Sequence, residues 1–324
     1  MLRTAFLLLG TALLVVLLWR LGLSEIVDLT RRIGWTSIPI LFVYFAHLAL
    51  RALALRSCVL QPGRLGYLDA LAIRLSGEAV QSLTFTGPLM AEPTRAWLLV
   101  RRGLTLEEGF AAVITEYLVG TFVTAAMVIV ALAYLVWRFE PVPAVSGIVI
   151  GVMSAAAAFL IVSAIAIVRR FYLIGTVIKG LARLGLLRGR LRPDMARVNR
   201  TEDLLLAILR DRPARVMAIA AIEAVAQALL VVELSWLLHA MDLAVPSAYP
   251  FVIEGSIKVV GVVFLYVPMQ VGVSEGAYAL VFGVMGLPAT AGFALAFLRR
   301  GRSLAAAGVG LTTLALLTTG RRAR

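Results

Sequence analysis

Apolar runs about as long as a bilayer-spanning helix recur from one end of the chain to the other. At about 1.5 Å per residue, an α-helix needs roughly 20 apolar residues to cross about 30 Å of hydrocarbon. Five runs approach or exceed that length: residues 4–19, 38–60, 109–137, 145–168 and 216–238. A sixth, residues 288–317, is long enough but contains Arg299, Arg300 and Arg302. The pattern predicts an all-α polytopic membrane protein.

Two further apolar stretches, residues 65–100 and 250–287, are interrupted in the middle. The first is broken at residues 84–88, which contain Gly87 and Pro88, and the second at residues 267–272, which contain Pro268 and Gly272. Counted as full crossings, these stretches would bring the total to eight hydrophobic segments. The alternative is that each is a re-entrant hairpin, whose two short helices enter and leave on the same side of the membrane.

The two broken stretches resemble each other at one constant spacing along the chain. Each has a break, then a Glu, a short apolar helix, a Gly-Leu step and a long helix that begins near Gly-Phe-Ala. The matching positions are Glu92 and Glu275, Gly103 and Gly286, Leu104 and Leu287, and Gly109-Phe110-Ala111 and Gly292-Phe293-Ala294. The order of these features indicates an internal repeat. We call the number of residues from Glu92 to Glu275 the repeat spacing, because every other matching pair is separated by the same number.

Positive charge between Arg169 and Arg215 sets the orientation of the two copies. This segment carries twelve basic and four acidic residues, which predicts a cytoplasmic location. Counting crossings from it places both termini in the cytoplasm and opens the two hairpins to opposite sides. We therefore predict two inverted halves, residues 1–138 and 139–324, with about six spans, two broken re-entrant helical hairpins and an amphipathic cytoplasmic linker at residues 169–215. Inverted repeats with broken helices are typical of secondary transporters.

Composition narrows the chemistry further. Hydrophobic residues make up 61% of the chain and mean hydropathy is +0.96, so lipid must be the solvent for much of its surface. One cysteine and two histidines permit neither a disulfide framework nor a zinc cluster, so we expect no metal, no cofactor and no catalytic constellation. The net charge of +13 favours anionic headgroups near the linker as partners, whereas no nucleic-acid reader domain is evident.

Charged residues within the apolar stretches are the candidate functional residues, because a charge at the centre of a membrane helix costs roughly 2.5–3.5 kcal/mol on insertion scales. The acidic ones are Glu78, Glu92, Glu116, Glu223, Glu233, Glu254 and Glu275, and the basic ones are Arg51, Arg95, Lys258 and Arg299. The spacing pairs Glu254 with Lys258 and Glu92 with Arg95 on one helix face. These pairs could simply hold helices together. Glu92 and Glu275 are each expected to open a short helix after a break, either as a cap or as a contact for a cationic or hydroxylated headgroup.

The residues from Val267 to Gly276 resemble a known family of flippase-like membrane proteins, related to the transmembrane region of lysylphosphatidylglycerol synthase. The matching positions are Pro268, Gly272, Val273, Glu275, Gly286, Leu287 and Arg299. The sequence departs from the family where Gln270-Val271 replaces Gly-Gly. We expect no soluble aminoacyl-transferring domain after this region, so lysyl transfer is not implied. The region from Gly272 to Arg300 is most similar to a branch associated with hopanoid biosynthesis, which implies a polycyclic, hydroxylated lipid.

These observations favour a lipid flippase or transporter of the bacterial inner membrane, not an enzyme, with a hopanoid or phospholipid as cargo. The expected substrate-binding or translocation residues are Glu78, Glu92, Arg95, Glu116, Glu254, Lys258, Gln270, Gly272, Glu275 and Arg299. No nucleotide-binding Gly-rich loop is present in the sequence, so movement would be downhill, ion-coupled or driven by a partner. The alternatives are a membrane-embedded lipid-modifying enzyme and a non-transporting scaffold for a lipid-biosynthesis complex. A homo-oligomer and lipid-biosynthesis partners are both compatible with the sequence.

Overall fold

The computed structural model describes residues 37–84, 87–169, 171–183, 194–263 and 273–319. Within these ranges the regular structure is helical throughout, which confirms the predicted all-α class. In chain order the helices are α1 (Ser37–Cys58), α2 (Tyr67–Leu83), α3 (Pro88–Arg101), α4 (Leu106–Phe139), α5 (Pro143–Val168), α6 (Leu173–Arg183), α7 (Met195–Leu209), α8 (Pro213–Ala240), α9 (Ala248–Val263), α10 (Val273–Val284) and α11 (Ala289–Thr319).

Five of these helices, α1, α4, α5, α8 and α11, are long and apolar enough to cross a membrane. They coincide with five of the six predicted spans, and their ends are set by local chemistry. Pro143 and Pro213 occupy the first turns of α5 and α8, where a missing N–H is harmless. The Thr105 hydroxyl and the Glu108 carboxylate form a capping box that starts α4 before the predicted position. The remaining predicted span, residues 4–19, lies outside the described residues.

Helices α2 and α3 form a hairpin whose two ends lie on the same side of the bundle. An ion pair of 3.1 Å between Asp69, in the first turn of α2, and Arg102, just after α3, joins those ends. The helices have 17 and 14 residues, so they extend only about 26 and 21 Å. Gly87 begins the return with a positive φ of 45°, which glycine adopts at little cost. Both arms are thus shorter than the roughly 30 Å of hydrocarbon.

Helices α9 and α10 form the corresponding pair at the opposite end of the bundle. They have 16 and 12 residues, and the predicted break at 267–272 lies outside the described residues. Leu238 near the end of α8, Val252 in α9 and Met285 just after α10 share one hydrophobic core. The rings of Phe139 and Tyr249 meet at 5.3 Å, so the end of α4 lies beside the start of α9. Since α4 begins beside the α2–α3 hairpin, the two hairpins occupy opposite ends of the bundle.

The turns that follow the hairpins repeat the same geometry. Gly103 and Gly286 both have positive φ, 93° and 72°. In both turns the Leu after the glycine donates its N–H to the carbonyl oxygen five residues earlier: Leu104 to Leu99 at 3.4 Å and Leu287 to Phe282 at 2.8 Å. This is the hydrogen bond of a glycine-capped helix end. Two turns separated by the repeat spacing therefore have the same backbone conformation and the same hydrogen bond.

The same spacing relates the two main hydrophobic cores. One core lies at the end where α1 finishes, and the other lies at the end where α8 finishes. Buried residues of the first core and their counterparts in the second are Leu55 and Leu238, Ala70 and Ile253, Leu99 and Phe282, and Ala112 and Leu295. Helix contacts follow this relation as well, since α2 packs against α11 and α9 packs against α4.

Two amphipathic helices, α6 and α7, lie in the predicted linker at the end where α1 finishes and α8 begins. The buried carboxylate of Glu202 accepts the backbone N–H of Gly175 at 3.0 Å, and the Tyr172 hydroxyl donates to Asp203 at 2.6 Å. Leu205 and Ile208 of α7 are buried, and α7 packs against α4. The two helices are therefore pinned to each other and to the bundle, while residues 184–193 lie outside the described ranges.

The contact between α2 and α11 requires a glycine at residue 310. A Cβ at Gly310 would collide with the backbone of Leu75 and lie 2.8 Å from the Cβ of Ala79. We expect Gly310→Ala to destabilise the protein by about 1–3 kcal/mol, as overpacking does. Gly308→Ala is the matched control, because a Cβ there meets nothing within 4 Å. It should be neutral or stabilising by up to about 1 kcal/mol. Thermal unfolding in detergent compares the two, and equal midpoints would contradict the close approach.

Candidate functional site

The first ion cluster joins α1, α2, α4 and α8 around the carboxylate of Glu116. Glu116 accepts a hydrogen bond from Arg51 at 2.7 Å and another from Arg74 at 3.0 Å. Arg51 also pairs with Glu223 of α8 at 3.3 Å. The side chains of Glu116 and Glu223 are fully buried, and that of Arg74 is 1% exposed. Four helices therefore depend on one another for charge compensation.

Glu92 and Arg95 of α3 form an ion pair of 2.5 Å beside this cluster. The predicted spacing of the pair is thus correct, but Glu92 does not open the helix as expected. Helix α3 begins at Pro88, so Glu92 lies in its second turn, and the first turn contains no acidic residue. The carboxylate binds a guanidinium one turn further along the helix instead of capping free backbone N–H groups.

The second ion cluster joins α8, α9, α10 and α11 around the guanidinium of Arg299. Arg299 donates to Glu254 at 2.5 Å, to the Tyr278 hydroxyl at 2.8 Å and to Glu233 at 3.4 Å. Lys258 pairs with the other oxygen of Glu254 at 3.1 Å, as the sequence spacing predicts. Both carboxylates in this cluster are buried, and each is paired with at least one cation.

Tyr44 connects the second ion cluster to the first half of the chain. The guanidinium of Arg302 lies 3.9 Å from the centre of the Tyr44 ring and pairs with Glu233. The Tyr44 hydroxyl donates to Glu78 at 2.9 Å. A cation over an aromatic face is stabilised most where water is excluded. Glu78 of the first hairpin is thereby linked to α8 and α11 through a single tyrosine.

Both clusters lie at depths that correspond to the hydrocarbon region. Glu223 and Glu233 lie on the same helix, α8, ten residues or about 15 Å apart. α8 itself is 28 residues long, about 42 Å, so Glu223 lies about 15 Å from its start and Glu233 about 10 Å from its end. An unpaired charge there would be costly, which explains why each one is held by a partner of opposite sign.

The central residues of the two clusters are equivalent in position but opposite in charge. Glu116 and Arg299 are separated by the same repeat spacing as Glu92 and Glu275, and each is the central residue of its cluster on the long helix after a hairpin. Glu116 pairs with Arg51 of α1 and Arg74 of α2, whereas Arg299 pairs with Glu233 of α8 and Glu254 of α9. Since α1 corresponds to α8 and α2 to α9, a carboxylate between two guanidiniums in one half becomes a guanidinium between two carboxylates in the other.

The structure divides the predicted site residues between these clusters. Glu116, Glu92 and Arg95 belong to the first, Glu254, Lys258 and Arg299 belong to the second, and Glu78 joins the second through Tyr44. Glu275, in the first turn of α10, pairs with Arg300, which also donates to the Ser274 hydroxyl at 3.0 Å. Gln270 and Gly272 lie outside the described residues. The predicted residues thus form two groups at different depths.

Several members of the clusters were absent from the predicted substrate-binding residues. Arg74 has a visible signal, because it is an isolated Arg within an apolar stretch, but its partner Glu116 is 42 residues away. Glu223 and Glu233 stood out as acidic residues in a span, although nothing indicated which cations they meet. Tyr44 and Tyr278 carry no signal, since tyrosines are common in membrane helices. Their roles follow only from three-dimensional contacts.

The profile of one family, the lysylphosphatidylglycerol synthase TM region, matches residues 4–310. The chain belongs to this family. The match includes both hairpins and both ion clusters, and it confirms the resemblance read around Glu275. It associates the chain with membrane lipid handling. The chain matches no curated protein and no solved structure.

The side chains of the two clusters are equipped for charge recognition. Arginine and carboxylate side chains here offer directed hydrogen bonds and compensating charges in a water-poor region. In the part of the chain that the structure describes, no group of three His, Cys, Asp or Glu residues is arranged to hold a metal ion. The clusters can therefore pair with each other's charges or with polar groups of a ligand.

Removing the carboxylate of Glu116 tests the energetics of the first ion cluster. We expect Glu116→Gln to destabilise the protein by about 3–5 kcal/mol, because two guanidiniums would lose their buried counter-charge. Glu108→Gln is the matched control, since Glu108 pairs at 3.0 Å with the half-exposed Arg64 and glutamine also completes a capping box. The control should cost below about 1 kcal/mol. Similar denaturant midpoints for both variants would contradict the assignment.

Proposed function

We propose that this protein moves an amphipathic lipid across or out of the bacterial inner membrane, with a hopanoid or a phospholipid as cargo. The observation that carries the proposal is the pair of ion clusters at hydrocarbon depth, each built where a short hairpin meets a long helix. A headgroup moving between leaflets must leave water, and fixed charges along its route offset that loss. The acyl or polycyclic part of the lipid can stay in the surrounding hydrocarbon.

The position of the clusters supports stepwise passage of a headgroup. The first ion cluster lies about two to three turns from the end of the bundle where α1 finishes, and the second lies similarly far from the opposite end. Glu92 and Arg51 in the first cluster, and Lys258 in the second, each keep 20% of their side chains exposed. Each cluster therefore has a buried centre and a partly accessible edge. A headgroup could exchange contacts with one and then with the other.

The basic end of the bundle is proposed to face the cytoplasm, with both chain termini on that side. Arg212 and Arg215 at the start of α8 donate to backbone carbonyl groups at the end of α1, including that of Leu60. The linker helices α6 and α7 lie at this end, and their basic residues are suited to anionic headgroups. Movement requires no nucleotide, so it is downhill, ion-coupled or driven by a partner. Homo-oligomers and lipid-biosynthesis partners are both compatible with this arrangement.

Reconstitution tests the transport proposal directly. Purified protein in vesicles should equilibrate a fluorescent lipid between leaflets, measured by bleaching of the outer leaflet. We expect Glu233→Gln to slow this exchange about tenfold or more, equivalent to losing roughly 1.4 kcal/mol of stabilisation at the barrier. Glu108→Gln, at an exposed ion pair, should exchange lipid at the unmodified rate. Folded content is matched by gel filtration. Exchange no faster than in protein-free vesicles, for every lipid class supplied, would overturn the proposal.

The alternatives make different predictions about the lipids of a deletion strain. A transporter leaves every lipid species present but changes its distribution between membranes or leaflets. A lipid-modifying enzyme based on paired carboxylates would leave one species missing. A scaffold predicts that Glu116→Gln and Glu233→Gln variants, if folded, restore the deletion strain as well as the unmodified gene. Lipid extracts from separated membranes distinguish the first two outcomes, and complementation distinguishes the third.

A further inference from the structure

The Arg95 guanidinium is buried with most of its hydrogen-bonding capacity unused. Its side chain is 1% exposed, and its Nη1 contacts Glu92 at 2.5 Å. Nε and Nη2 have no hydrogen-bond partner among the described residues. Nε of Arg74, another side chain that is 1% exposed, likewise lacks a partner there. Buried carboxylate oxygens of the same cluster, on Glu92, Glu116 and Glu223, also lack a hydrogen-bond partner there, so none of them accepts from these nitrogens. Buried donors without acceptors are costly, so an acceptor outside the protein within reach of Arg95 would stabilise it.

The two arginines share one face of the first hairpin. A Cβ at Gly77 would overlap the Arg95 guanidinium, so Arg95 of α3 lies directly against α2 at that residue. Arg74 is three residues before Gly77 and therefore lies on the same face of α2. Arg95 is also close enough to Arg74 and Glu116 for their charges to interact. The glycine thus creates the space in which two guanidiniums converge.

The corresponding position in the second half shows what is unusual about Arg95. Tyr278 occupies the equivalent place, one repeat spacing further on, and its hydroxyl is bonded to Arg299. Val260 stands where Gly77 would be, so no comparable space is left. The first half therefore combines a glycine with an additional cation at a position that the second half closes with a tyrosine. Ion pairing within the bundle does not require that combination.

We propose that Arg95 and Arg74 form a binding site for a phosphate group. Phosphate presents several acceptor oxygens, and the planar donors of arginine match them in pairs. The site lies about two to three turns from the basic end. Glu92, which pairs with Arg95, keeps 20% of its side chain exposed. Arg51, which shares Glu116 with Arg74, keeps the same fraction exposed. The phosphate would belong to a lipid headgroup that enters from that side. The inference rests on the proposed function and adds the class of group that the first ion cluster recognises.

Binding in phosphate-free detergent tests the site apart from transport. The probes are short-chain phosphatidic acid, diacylglycerol with the same acyl chains, and inorganic phosphate, measured by calorimetry on the full chain in maltoside micelles. We expect phosphatidic acid to bind at least about tenfold more tightly than diacylglycerol. Competition by millimolar inorganic phosphate would indicate that the phosphate group itself is sufficient. Lack of competition would show that the site requires the lipid-linked headgroup.

Three variants separate recognition from folding. Arg95→Gln should weaken phosphatidic acid binding at least about tenfold. Gly77→Ala keeps every charge but displaces the guanidinium, so it should weaken binding as well. Glu92→Gln should strengthen binding, because it removes a negative charge beside the phosphate, whereas a purely structural ion pair predicts no gain. Arg138→Gln, exposed near the end of α4, is the control for net charge and should bind as the unmodified protein does.

Two results would overturn the site. One is equal affinity for phosphatidic acid and diacylglycerol. The other is unchanged affinity in both the Arg95→Gln and Gly77→Ala variants relative to Arg138→Gln. Either result could occur while vesicle assays still show lipid exchange, in which case the proposed function stands and the phosphate site does not. Conversely, phosphate-selective binding without lipid exchange would keep the site and overturn the transport proposal.

Discussion

The fold depends on charged side chains that compensate one another in a region from which water is excluded. Glu116 lies where α4 meets α1 and the first hairpin, and Arg299 lies where α11 meets α8 and the second hairpin. Each is paired with two side chains of opposite sign. A lone charge at this depth would favour a different arrangement of the chain, because its desolvation is unfavourable. Paired charges remove that penalty and add direction, since a guanidinium and a carboxylate meet in few geometries. The clusters consequently determine how each hairpin seats on the bundle.

The exchange of sign between the clusters has a simple physical basis. The attraction between two charges depends on their product, so a carboxylate between two guanidiniums and a guanidinium between two carboxylates are equally compensated. The central position can therefore carry either sign in two copies of one unit, provided that the neighbouring helices supply partners of the opposite sign. What does change is the surroundings of the centre. A further guanidinium, that of Arg95, lies near Arg74 and Glu116 in the first cluster, whereas Tyr278 occupies the equivalent place in the second.

Much of the architecture was accessible from the sequence, because length and apolarity alone identify α1, α4, α5, α8 and α11. The repeat was also accessible, since Gly103 and Gly286 are needed where the backbone adopts positive φ, and such positions keep their spacing. Of the site, the sequence revealed only which charged residues lie in apolar stretches, and not how they pair. Partners far apart in the sequence, such as Arg74 and Glu116, follow from packing that no local pattern encodes. The sequence also predicted that Glu92 would lie in the first turn of its helix. It lies in the second turn, because α3 begins four residues earlier, at Pro88.

The packing of each hairpin against the long helix of the other half has a mechanical consequence. Gly310 of α11 lies against the backbone of Leu75 in α2, and α9 packs in the same way against α4. Within the described residues the two halves are thus interlocked, because each hairpin is wedged against a helix of the other half. A shift of the first hairpin displaces a helix that belongs to the second half, and the reverse holds equally. A displacement at one end of the bundle is in this way passed to the other half by steric contact.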